Sequence, residues 1–508
     1  MPPAPLLRRA LLAAAAAVLT ASAAFGAAPT AQELPDIGTP VDQLLTASDE
    51  YKIGAMIIQG LRDQGQILDD PELNEYIQSV GSRLASQAQE GNTRFTFFVV
   101  KDRGINAFAL PGGFVCVNAG LILATSGESE LAGVLAHEIS HVTQRHIARS
   151  YQDASKASLA STAAMLAAIL LGAMSGNSNV GMAGVMVGQG AAMQHQLNFS
   201  RENEYEADRV GIGVMAAAGY DPNAMGTFFE TLERRMGNPG PNAKILEFLQ
   251  THPVTSGRVA EAKNRAAMYP IVRPVDTTGY RLARERLRVM TLGPEDNPRE
   301  VYADAASVDL AVSDYRYYGR ALALVQANAA GEAVPILRDL VQRHPDTIEY
   351  HSALGQALLA AGDVQGSRAV LARAKELFPR NVPVTVRYAE TLMRAGDARL
   401  AHAVLLDLFN NVAPTQAQVR QIALVASAAG EAAEANYYMA EYHVMSGDLT
   451  LAIETLRLAL SAPNLTPVQR SRFKARIDEL KEYLPPRVQA AVDRGDPLPA
   501  PKPDGRHQ

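Results

Sequence analysis

The chain has one cysteine, Cys116, so no intramolecular disulfide can form. Its stability must therefore come from buried apolar surface, which 508 residues can supply. A lone thiol in an exported protein is best kept buried, and the β-like stretch FVCVN suits a small core residue there. The sequence has no run of Lys or Arg, and its formal net charge is -6. That balance excludes a nucleic-acid binder held by a basic surface. No cysteine lies near the cleavage region after the N-terminal apolar run, which excludes a lipoprotein anchor at that point. The run itself is short and alanine-rich for a membrane span. Arg8 and Arg9, the apolar residues to about Val18, and the small residues Ala21-Ser22-Ala23 instead form an export signal.

Hydrophobic residues make up 47% of the chain and charged residues 20%, an ordinary soluble composition. At ~150 residues per domain the length predicts about three units. RFTFFVV (94–100) and GGFVCVN (112–118) are rich in aromatic and β-branched residues and predict strands. Helical periodicity predicts a helix over 131–150 and another over 203–219 that stops at Gly219. The Ala/Gly/Met-rich stretch 157–193 is weakly apolar, and it reads as a cover over a neighbouring groove rather than a span. Pro270, Pro274, Pro294 and Pro298 mark a linker.

Beyond the linker the pattern repeats. Ala-Gly-acid triplets stand at Gly331, Gly362, Gly396 and Gly430, and the last three glycines are spaced thirty-four positions apart. Pro345 and Pro379 share that interval, and the first triplet falls slightly out of step. A thirty-four-residue period of helix, turn and helix is the mark of tetratricopeptide repeats, which stack into a superhelix. The Pro-rich, charged tail predicts disorder.

The chemistry concentrates in LAGVLAHEISHVTQRHIARS (131–150). Leu131, Val134, Leu135 and Val142 form an apolar stripe, with Glu138 inside it and His137 and His141 at its edge. Burying a carboxylate beside two imidazoles is costly without compensation. His137-Glu138-Ile139-Ser140-His141 matches HExxH, in which two histidines one helical turn apart bind one Zn²⁺ and the glutamate holds the metal-bound water. Zinc needs a further protein ligand. Glu202, Glu204, Glu206 and Asp208 crowd SRENEYEADRVG, and Glu204 and Asp208, four apart, share a face. Glu204 could bind the metal while Asp208 receives an N–H from a ligand histidine. Gly113, Phe114, Val115, Cys116 and Val117 are the candidate strand along which an extended substrate would add by backbone pairing.

HEISHVTQRH, NAFALPGGFVCVNAGLI (106–122), SRENEYEAD and THPVTSGR (251–258), in this order, are together similar to the HtpX-like zincin peptidases. The added export signal and repeat array resemble the β-barrel assembly-enhancing (BepA-like) members of that group. The resemblance implies His137, His141 and Glu204 as zinc ligands, Glu138 as general base and Asp208 as the partner of a ligand imidazole. Its E-x-x-x-D motif selects Glu204 over Glu202 and Glu206. It also implies that His252 can occupy the open metal position, and that His252 or Arg258 can stabilise the oxyanion.

The expected fold is mainly α: a zincin-type α+β metalloprotease domain with a small sheet, followed by an α-solenoid of tetratricopeptide repeats. The expected boundaries are signal peptide 1–27, protease 44–270, linker 271–312, repeats 313–484 and disordered tail 485–508. The expected function is a periplasmic zinc endopeptidase that degrades misfolded or misassembled proteins, with outer-membrane β-barrel proteins as clients. Its expected partners are those substrates, the barrel-assembly machinery bound through the repeats, and a peripheral membrane surface. The competing expectation is a tetratricopeptide chaperone with a structural or idle zinc site.

Overall fold

The computed structural model describes residues 46–88, 93–147, 149, 201–237, 251–272, 277–302, 310–463, 465–484 and 486–498, all within one unit, Thr46–Gln508. The export signal and the stretch 157–193 lie outside the described residues. Two helices lead in. In α1 (Ala47–Asp63) the Thr46 side chain accepts from Asp49 N, and in α2 (Pro71–Ala85) Asp70 accepts from Leu73 N with Pro71 in the first turn. Each cap supplies an acceptor for an orphan amide, and a proline there loses no helical hydrogen bond.

Three strands follow: β1 (Thr96–Val100), β2 (Ala107–Leu110) and β3 (Phe114–Asn118). They form one sheet in the order β1-β3-β2, with β3 parallel to β1 and antiparallel to β2. The β2–β3 connection turns on Gly112 and Gly113, at φ 82° and 84°. Only glycine enters that region freely, and a Cβ at Gly112 would also strike the Tyr51 backbone.

After α3 (Ala119–Ala124) comes α4 (Glu128–Thr143), in which every residue from Glu128 to His141 is buried. It lies between the sheet and α2 on one side and α5 (Arg201–Ala217) and α6 (Asn223–Gly237) on the other. Leu131, Leu135 and Ile139 join Val115, Val117, Ile212 and Met215 in one core. A Cβ at Gly211 would stand 3.2 Å from the backbone of Ala136 and His137. The missing side chain thus lets α5 come close to α4 beside His137, and α7 (Ser256–Ala266) packs against α5 and α6.

The stretch 271–312, expected as a linker, contains α8 (Thr278–Met290). Tyr280 and Leu287 of α8 enter the protease core, while Leu282 and Val289 enter the first core of the repeats. The prolines flank this helix rather than interrupt it, and the segment between them carries apolar residues on two faces.

The repeat helices are α9 (Leu310–Gln326), α10 (Ala330–Arg343), α11 (Ile348–Ala360), α12 (Val364–Leu377), α13 (Val382–Arg394), α14 (Ala398–Phe409), α15 (Gln416–Ala428), α16 (Ala432–Met445), α17 (Leu449–Ser461) and α18 (Pro467–Lys481). They pack as consecutive neighbours. The left-handed residues Asn328, Gly362, Gly396 and Gly430 are spaced by thirty-four positions, and Gly447, also left-handed, follows half a period on. Asn328, and not Gly331, makes the first turn, which is why the first triplet looked out of step. Each turn closes in the same way; for example, Asp363 N donates to Leu358 O at 2.9 Å and Asp397 N to Leu392 O at 2.9 Å.

The tail differs from its expectation. It holds α19 (Pro486–Arg494), and Leu498 is buried with Phe473 and Leu480. Val488, Ala491 and Val492 have helical spacing and pack on that core, a pattern masked by the proline content around it. Among the described residues no helix is long and apolar enough to cross a membrane.

Candidate metal centre

His137 and His141 project from one side of α4, Glu204 comes from the first turn of α5, and His252 sits just before α7. One donor atom from each of these four lies within 4.8 Å of the others. His137 Nε2 stands 2.9 Å from His141 Nε2 and 3.3 Å from His252 Nδ1. Glu204 Oε2 lies 3.5 Å from His137 Nε2, and Oε1 lies 3.4 Å from His141 Nε2 and 3.0 Å from His252 Nδ1. The four residues are at most 2% exposed.

This donor set fits a divalent cation. Ring nitrogens that face each other at 2.9 Å repel unless a proton or a cation lies between them, and three imidazoles with one carboxylate are the ligand types zinc takes. The electrostatics agree. Burial opposes charge on Glu204, yet His252, His137 and His141 outweigh it and hold the carboxyl well below its usual range. Burial also opposes charge on His137, but the adjacent carboxylates of Asp208 and Glu204 lift its pKa to about 10. Burial pushes His141 well below the usual value, assisted by the neighbouring imidazoles.

Glu138 is fully buried, and neither carboxylate oxygen has a hydrogen-bond partner. Its nearest ionic neighbour is His252 Nε2, 3.4 Å from Oε1. A buried carboxylate without donors has a place for a water.

Asp208, one turn after Glu204, lies 2.9 Å from His137 Nδ1, although away from the ideal donor direction. Arg258 is 2% exposed. Its Nε and Nη2 donate to Asp208 at 2.7 and 2.8 Å. Its Nη1 reaches Glu204 Oε2 at 2.7 Å and donates to Pro253 O at 2.9 Å. The guanidinium also stacks on Phe229, 4.9 Å from the ring centre. Every nitrogen is engaged, so the expected oxyanion role does not suit Arg258. It joins the ligand carboxylate, the partner of His137 and the His252 loop into one frame.

The expected substrate strand is also corrected. Gly113, Phe114, Val115, Cys116 and Val117 belong to the middle strand or the turn leading into it. β3 is paired on both sides and wholly buried, so it has no edge to offer a peptide. Among the described residues, β2 (Ala107–Leu110) pairs only with β3 and lies against α4. The hydrophobic composition of GGFVCVN signalled a buried strand, but not which strand lies at the edge. Cys116 is fully buried as expected, and burial together with nearby Glu138 raises its thiol pKa.

The sequence reading gave no role to His146 and set Glu206 aside as a metal ligand. His146 Nδ1 lies 2.9 Å from His141 Nδ1, and His146 Nε2 lies 3.1 Å from Glu206 Oε2. His146 stands five positions after His141, off the zinc-facing side of an ideal helix, so helical periodicity does not reveal the contact.

The peptidase family M48 model matches residues 71–266. The chain is 32% identical over 458 residues to the β-barrel assembly-enhancing protease of Escherichia coli, covering 90% of this chain and 92% of that one. It is 32% identical over 460 residues to the corresponding protease of Yersinia pestis, covering 90% and 93%. Over 184 residues it is 33% identical to the mitochondrial metalloendopeptidase OMA1 of Schizosaccharomyces pombe, covering 36% of this chain and 50% of that one.

Proposed function

The chain belongs to the β-barrel assembly-enhancing protease family and carries a peptidase family M48 domain; from that premise we propose that it is a zinc endopeptidase that removes misfolded or misassembled outer-membrane β-barrel proteins. His137, His141 and Glu204 would hold the ion. When bound, zinc acidifies a water and polarises the scissile carbonyl.

Glu138 takes the proton of the attacking water and returns it to the departing amine. Its burial without a hydrogen-bond donor keeps the carboxylate available for that water. Asp208 orients His137 through Nδ1, and Arg258 holds Asp208 and Glu204 in position. His252, between Glu204 and Glu138, closes the site until a substrate displaces it, and then donates to the developing oxyanion. An extended substrate adds along the β2 edge, where backbone pairing reads no side chain. An unfinished barrel exposes unpaired strands of this kind. A cavity of about 130 Å³ bounded by Glu204, Tyr205, Pro253 and Arg258 receives a side chain beside the metal.

The relatives' name, a protease of β-barrel assembly, and the export-signal pattern of residues 1–27 support work in the periplasm. The protease expected within 44–270 extends through α8, whose Tyr280 and Leu287 enter its core, and the repeats, expected over 313–484, recruit substrates and the barrel-assembly machinery. The observation that carries the reading is the convergence of His137, His141 and Glu204 around one point with Glu138 alongside. The test is metal analysis of the mature protein with a casein-degradation assay, for wild type and Glu138→Gln. A folded wild-type protein that takes up no zinc and cleaves nothing would leave the repeat-built binding protein as the better reading.

A further inference from the structure

We propose that His146 and Glu206 form a relay that fixes the orientation and tautomer of His141, and that both are positioning residues of the metal centre. The proposal rests on the reading of His141 as a metal ligand.

The proton positions follow from geometry. For His141 Nε2 to face a cation, it must present a lone pair, so Nδ1 must carry the hydrogen. That hydrogen points to His146 Nδ1, 2.9 Å away. His146 Nδ1 then accepts, which places the remaining hydrogen of a neutral His146 on Nε2. Nε2 donates to Glu206 Oε2 at 3.1 Å. With neutral imidazoles, no other assignment leaves His141 Nε2 open to a metal while a carboxylate terminates the chain.

The backbone is arranged to make this contact. α4 ends at Thr143, and Arg145 adopts φ 52°, a left-handed conformation that side-chain-bearing residues rarely take. The reversal carries His146 back under His141, where it is fully buried with its ring at 76° to that of His141. Arg145 Nη2 donates to Glu50 at 3.1 Å, which secures the turn to α1. A backbone outlier held in this way beside a site points to a role for what it positions. Arg149 Nη2 donates to Glu206 Oε2 at 2.8 Å and steadies the terminal carboxylate.

The relay also gives Glu206 a place among the acids of α5. Glu204 faces the donor cluster, and Asp208 meets His137 directly. Glu206 meets His141 through His146. The two ligand imidazoles thus have separate carboxylate anchors on the same helix.

The test measures zinc affinity of the full mature chain by chelator competition, and the d–d spectrum of the cobalt-substituted protein. His146→Ala is expected to weaken zinc binding by about 10- to 100-fold, and Glu206→Ala by about threefold or more. Both should shift the cobalt bands. Glu206→Gln keeps an acceptor oxygen and should recover most of the affinity lost in Glu206→Ala. Wild-type affinity within twofold and an unshifted cobalt spectrum in the alanine variants would overturn the proposal, even if the metal-free Tm fell. If His146→Ala does not fold, the Glu206→Ala and Glu206→Gln pair decides by the same readouts. A wild-type chain that binds no zinc would instead overturn the ligand assignment of His141.

Discussion

Arg286 of α8 and Asp70, the cap of α2, form a bidentate buried ion pair: Nε to Oδ1 and Nη2 to Oδ2, both at 2.7 Å. Arg387 of α13 joins them, with Nη2 3.1 Å from Asp70 and 2.9 Å from Glu72. Arg286 Nη2 also lies 3.0 Å from Glu72, and Ser352 of α11 donates to the same carboxylate. Two acids at the start of a protease helix are thereby held by two arginines from α8 and the repeats. The repeats are braced on the helix that packs beneath the sheet and α4.

Removing one member of this cluster leaves an uncompensated charge in the interior. Asp70→Ala is expected to lower unfolding stability by ~3–5 kcal/mol. Chemical denaturation of wild type and variant measures it, and a loss below about 1 kcal/mol, the level of an exposed pair, would show that the cluster contributes little.

Stability should also fall in acid. Burial opposes ionisation of Glu72, but Arg286 and Arg387 outweigh it and hold the carboxyl far below its usual range. The folded pKa is depressed, so this contribution is complete above the unfolded value of about 4.3 and is lost as pH falls below it. Thermal melts of the full chain should show Tm declining below about pH 5. Glu72→Gln should start lower at pH 7 and decline less steeply, whereas parallel curves would remove Glu72 as the source.

Glu138→Gln should retain zinc while casein cleavage falls by about 10²–10⁴-fold, the loss expected for a general base. Metal analysis and initial rates on one preparation separate the two effects. Cleavage at the wild-type rate would remove Glu138 from the reaction.

Arg258→Lys should behave like Arg258→Ala, because an ammonium cannot reproduce the two-pronged contact with Asp208. Both should weaken zinc binding and increase proteolytic nicking of the 251–255 loop. Full zinc affinity in the lysine variant would mean that charge alone suffices at this position.

His252→Ala should raise basal casein cleavage if the proposed closure of the site by His252, which lies between Glu204 and Glu138, dominates. A fall in rate would favour the oxyanion role over obstruction. An unchanged rate would discard both.

HExxH implied two histidines on one turn because its geometry is local, and the helix expected over 131–150 is α4 as far as Thr143, beyond which Arg145 turns the chain. The period of the repeats was equally visible, although Asn328 replaces glycine in the first turn. The helix in the presumed linker escaped notice because its apolar residues serve two cores at once. His146 escaped because a left-handed Arg145, not helical spacing, returns it to His141.

What the residues determined unaided is therefore what short-range stereochemistry controls: the paired imidazoles, the Glu204–Asp208 spacing, the helix caps and the thirty-four-residue turn. Tertiary structure alone decided which strand lies at the edge, that Arg258 braces Asp208 rather than an oxyanion, and that α8 binds the repeats to the protease. These outcomes depend on groups far apart in the chain meeting at hydrogen-bonding distance in a buried interior, where each charge must find a partner.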